Sequence, residues 1–64
     1  MFTTENLPSL NSIVRGARCG VFVVLGFKTI GGEFHVALKE VNPANHAETG
    51  RGELYFTLAG IRPY

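Results

Sequence analysis

The pair Gly31-Gly32 constrains this chain more than any other feature, because it stands between two long runs of strand-forming residues. Val21 to Ile30 is dense in β-branched and aromatic side chains, whose stiff χ1 angles suit a pleated surface. Two adjacent glycines supply the positive φ angles that two-residue turns of types I′ and II′ require. Glu33 to Val41 is therefore expected to return antiparallel to the first run.

A two-residue loop also fixes the register. It sets Ile30 opposite Glu33, Thr29 opposite Phe34, Phe27 opposite Val36, Leu25 opposite Leu38, and Val23 opposite Glu40. One face then gathers Val21, Val23, Leu25, Phe27, Phe34, Val36 and Leu38 as the expected core. The other face sets Phe22, Val24, Gly26, Lys28 and Ile30 against Val41, Lys39, Ala37, His35 and Glu33.

The flanks add shorter elements. Met1 to Asn6 is polar and reads as a flexible end. Within residues 7–15, Leu7, Leu10, Ile13 and Val14 recur at helical spacing and Pro8 fits a first helical turn, which predicts one or two turns of helix. A competing reading makes Ser12 to Arg15 a short strand with Gly16 in a turn. Residues 17–64 form the β-rich core of the one domain that 64 residues allow. A glycine inside a strand marks a bulge or bend, so Gly20 or Gly26 can curl the sheet. Asn42-Pro43 ends the second strand, Ala44 to Gly52 is a polar loop, and Glu53 to Leu58 is a third strand presenting Leu54, Phe56 and Leu58 to the core. Ile61 to Tyr64 forms a brief last strand that Pro63 confines to an edge.

The expected fold is thus mainly β, a three-stranded antiparallel meander that curls on itself. The alternative is α+β, with the N-terminal helix on an open three-stranded sheet. Leu38-Lys39-Glu40-Val41-Asn42-Pro43, the polar loop, Phe56 and the terminal Ile61-Arg62-Pro63-Tyr64 together resemble small SH3-like barrel proteins of unknown function from phages and bacterial mobile elements. The likeness runs from the long strand to the end of the chain. It implies a curled barrel of four or five strands, and it carries no activity and no catalytic, cofactor or metal residues.

Chemistry is sparse. Cys19 has only His35 and His46 as prospective bases and Arg18 as a cationic neighbour, and it reads better as a small apolar residue at a strand start than as a nucleophile. Two histidines and one cysteine without paired spacing fall short of a metal ligand set. Gly50-Arg51-Gly52 precedes a strand and reads as turn punctuation, not as a phosphate loop. Glu40 and Glu53 are the only carboxylates placed for acid-base work, and Glu40 reads as a rim residue. The expectation is a non-enzymatic protein with no cofactor. A single cysteine excludes an intrachain disulfide, no apolar run approaches the length of a membrane span, and no leader pattern opens the chain, so a cytoplasmic location is expected.

What remains is binding. Phe22, Val24, Lys28, Ile30, His35, Lys39 and Val41 form the outer hairpin face and are the candidate contacts for a protein partner or a second copy. Leu7, Leu10, Ile13 and Val14 could instead cover that face from within the chain. Tyr55, Arg62 and Tyr64 make a second candidate contact if the last strand pairs locally. Nucleic acid is the alternative partner, through Lys28, Lys39, Arg18 and Arg51, against a net charge of only +1.

Overall fold

The computed structural model describes all residues, Met1 to Tyr64. It contains five strands, β1 (Ile13–Gly16), β2 (Val21–Ile30), β3 (Glu33–Val41), β4 (Glu48–Phe56) and β5 (Ile61–Pro63), with a 3-10 turn at Leu58–Gly60 before the last. All pair antiparallel in one sheet of order β4-β3-β2-β1-β5.

The central hairpin has the expected bounds, and Gly31 and Gly32 take φ angles of 57° and 80°. Two consecutive left-handed residues are the signature of a type I′ turn, whose twist matches that of the flanking strands. From the turn inward the register is as expected as far as Gly26 opposite Ala37. A bulge at Leu25 then adds one residue to β2, so that Val24, not Leu25, faces Leu38, and Phe22, not Val23, faces Glu40.

That one residue inverts the faces of β2 below the bulge. Phe22 (5% exposed) and Val24 (0%) join Val14, Val36, Leu38 and Ile61 in the core, while Val21 and Val23 turn to the other side. The expected core residues Leu25 and Phe27 stay outside the core cluster and partly exposed. Phe2, Leu54, Phe56 and Leu58 pack against the cluster, and the rings of Phe22 and Phe56 meet at 5.2 Å.

No N-terminal helix forms. Pro8 is buried, Ser12 turns back onto the Ser9 carbonyl, and residues 13–16 pair with β2 as the competing strand reading anticipated. Leu7 and Leu10 are exposed and are not among the residues packed on the core cluster. Helical spacing failed here because Ser and Asn in the interior favour local turns over helix, and the free edge of β2 offered Ser12 and Asn11 backbone partners at Val24. Nearer the N-terminus, Thr3 and Asn6 exchange backbone hydrogen bonds and Phe2 packs against the core cluster.

β4 begins earlier than expected, at Glu48, because Gly50 and Gly52 adopt left-handed φ angles that let the strand bulge past Glu40. The connection shrinks to a tight turn in which Asn42 accepts backbone bonds from Ala44 and His46. Leu58 reaches the core from the 3-10 turn and not from a strand.

The sheet curls without closing into a barrel. β4 and β5 lie at opposite edges, which in a flat five-stranded sheet would be about 19 Å apart. Only Thr57 to Gly60 joins them, so the sheet must bend around its core. No helix is long and apolar enough to cross a membrane.

Candidate functional site

The structure divides the expected contact residues between two settings. Phe22 and Val24 are core, and Val41 (2% exposed) is buried on the opposite face, so none of the three is available to a partner. Strand alternation puts Val41 and Tyr64 on that same outer face, where the β3–β4 connection folds back and His46 meets the Tyr64 ring edge-on at 5.3 Å. His46 Nε2 and the Tyr64 hydroxyl share a hydrogen bond of 3.3 Å.

Lys28, His35 and Lys39 do lie on the outer face as expected, and Lys28 is directly opposite His35. Tyr55, opposite Ala37 on β4, joins them, and the Lys28 ammonium sits 5.3 Å from the centre of its ring. The Tyr55 hydroxyl donates to Glu53 Oε2 at 2.7 Å. That hydrogen bond, with a smaller contribution from burial and from the carboxylate charge, raises the phenol above its ordinary range. Lys39 pairs with Glu48 at 3.2 Å, and His35 Nδ1 donates to the Glu33 carbonyl. Tyr55 and Tyr64 do not meet, because β5 pairs with β1 at the far edge from β4. Arg62 instead donates to the carbonyls of Ala59 and Ile61.

The hairpin end is the most exposed apolar part of the sheet. β1 pairs with β2 only over Val21 to Val23, and β4 meets β3 only from Val36 onward. Residues 25–34 are thus a two-stranded arm with no strand on either side. Leu25, Phe27 and Ile30 on it are 37%, 38% and 39% exposed. Phe27 stacks on Phe34 at 5.7 Å and 20°. The sequence did mark these residues as apolar, but alternation assigned Phe27 and Leu25 to the core because nothing in it showed that the neighbouring strands stop short.

A concavity of about 640 Å³ opens between the β1–β2 turn and the 3-10 turn. Phe22 and Phe56 floor it, and Arg18 and Cys19 stand at its rim. Cys19 is exposed, contrary to the expected strand-start packing, because Gly16 N–H bonds the Gly20 carbonyl and pinches residues 17–19 into a turn outside β2. No group of three or more His, Cys, Asp or Glu side chains converges anywhere. Glu40 is engaged by Arg51 at 3.2 Å and Glu53 by Tyr55.

Comparison with protein-family models, with curated proteins and with solved structures finds no match.

Proposed function

We infer that the chain is a non-enzymatic protein-binding module whose contact surface is the β2–β3 arm. The supporting observation is the arm itself: Leu25, Phe27 and Ile30 stand exposed on a hairpin that no other strand flanks. Exposed apolar side chains concentrated on one projecting element mark interaction surfaces, and an aromatic stack supplies contact area at low entropic cost. Lys28 and His35 give the arm a polar outer side, while Phe27 and Phe34 make its other side apolar.

The test is affinity capture from host lysate by the wild-type chain and by Phe27→Glu, with thermal melting of both. Capture of a defined protein that Phe27→Glu loses while still melting cooperatively supports the reading. Equal capture by both chains rejects the arm as the contact surface.

Nucleic-acid binding has weaker support. Arg51 and Lys39 are occupied by Glu40 and Glu48, and Arg18 lies in the β1–β2 turn, away from Lys28 near the hairpin tip. No measurable binding to oligonucleotides at low salt would remove that alternative.

A further inference from the structure

The concavity between the β1–β2 turn and the 3-10 turn is left open by the residues that surround it. Ala17 N–H donates to the Gly60 carbonyl at 2.9 Å, which ties the two turns together. Gly16, Ala17, Cys19, Ala59 and Gly60 line the space, and none of them carries more than two side-chain heavy atoms. Side chains that short cannot reach across, so about 640 Å³ stays open over the rings of Phe22 and Phe56. Those rings lie 5.2 Å apart and 57° to one another, which offers a third ring both a face and an edge to pack on. Pockets that hold small molecules run from roughly 300 to 1,000 Å³, mostly apolar, with a few polar groups that orient the ligand.

Charge selects the occupant. Arg18 is the only charged residue lining the cavity, and no carboxylate lines it. The other three arginines all have acceptors: Arg15 donates to the Pro63 carbonyl, Arg62 to those of Ala59 and Ile61, and Arg51 pairs with Glu40. Arg18 has none, and the backbone N–H groups of Arg18 and Cys19 also find no acceptor within the chain. We propose that this cavity binds an aromatic anion, its rings against Phe22 and Phe56 and its acidic group toward Arg18. A guanidinium takes an oxyanion through two N–H groups at once, which orients the ligand as well as holding it. A neutral ring leaves that cation unanswered, and an anion without a ring leaves the aromatic floor uncovered. The cavity shares no residue with the β2–β3 arm, so the proposal stands apart from the arm's role as a contact surface.

Titration of the full chain with 2-naphthoate, followed by amide chemical shifts, is expected to saturate, with the largest changes at Arg18, Cys19 and Gly60. The uncharged counterpart 2-naphthalenemethanol binds roughly tenfold more weakly, because it brings no charge to the guanidinium. Octanoate, which has the charge without the rings, is also weaker. Alkylation of Cys19 by iodoacetamide slows as the cavity fills, with the same midpoint as the shifts. Two variants locate the site. Arg18→Glu removes the advantage of the naphthoate over its alcohol. The atoms nearest a Cβ at Gly60 all belong to the Phe56 side chain, at 3.5 to 3.8 Å, and the Gly60 φ is not left-handed, so Gly60→Leu lays its side chain over that ring and blocks both ligands. If Gly60→Leu fails to melt cooperatively, Ala17→Leu serves as the plug in its place. Phe27→Glu, on the arm, binds the naphthoate as the wild type does. Shifts that never saturate overturn the proposal, as does binding indifferent to Arg18→Glu, or an alkylation rate that the naphthoate leaves unchanged. Shifts centred on Phe27 and Ile30 overturn it too, by placing the aromatic acid on the arm.

Discussion

At the scale of single residues, burial decides what each apolar side chain does. Val24 has no exposed surface and contacts the central cluster, so Val24→Glu places an unpaired carboxylate in that core and is expected to unfold the domain. Phe27→Glu, on the arm, leaves the cooperative melt in place, and circular dichroism on both variants checks the contrast. Tyr55 supplies a titration. Its hydroxyl donates to Glu53, which raises its folded-state value, so above the ordinary phenol range the unfolded chain releases its proton first. The folded form then holds more protons, and the stability from this bond is present below the unfolded value and lost as pH climbs through the folded one. In a Tyr64→Phe background, phenolate absorbance reports Tyr55 alone. Glu53→Gln is expected to move its midpoint downward, and an unchanged midpoint would show that the carboxylate does not hold the proton.

At the scale of elements, the bulge at Leu25 governs which face of β2 is core. Below it Phe22 and Val24 point inward; above it Phe27 keeps the register that the turn imposes. Deleting Leu25 therefore joins two segments whose pairings with β3 already agree. The shortened chain is expected to fold at a cost below about 2 kcal/mol, because only an extra, partly exposed residue is lost. Deleting Val23 instead shifts Phe22 out of step with Glu40 and Val14 and is expected to abolish folding. Denaturant melts of the two deletions measure the difference. Close approach matters as much at the β1–β2 turn. A Cβ at Gly16 would overlap the Cys19 carbonyl oxygen, which is backbone and cannot swing aside as a flexible side chain would, so Gly16→Ala forces the turn itself to shift.

At the scale of the molecule, a small core carries a curled sheet. Nine of the 64 residues are buried, and short chains of this kind depend on partners, metals or cross-links for much of their stability. An aromatic anion held between the β1–β2 turn and the 3-10 turn binds only the folded chain, so the melting temperature must rise with its concentration. Calorimetric scans with 2-naphthoate are expected to move upward for the wild type and to stay in place for Gly60→Leu. The edge of β4 is less suited to a protein partner than the arm, because its bulge and its Glu48 and Arg51 charges interrupt strand addition.

The sequence by itself determined the β class, the bounds of the central hairpin, the two-residue length of its turn and the edge position of the last strand. All of these follow from local chemistry: β-branched runs, two adjacent glycines, a proline without an N–H. It also brought Lys28 and His35 together, three pairs from the turn, where register has had no room to drift. What only the tertiary structure decided is which face of β2 is inside, because strand alternation has a period of two and one bulged residue reverses it for every position beyond. Tertiary structure likewise decided that residues 13–16 are strand and not helix, since an unpaired β2 edge outweighed a weak helical pattern. The exposed arm is the residue of both decisions: a local pattern that reads as core, left outside because the strands that would bury it end too soon.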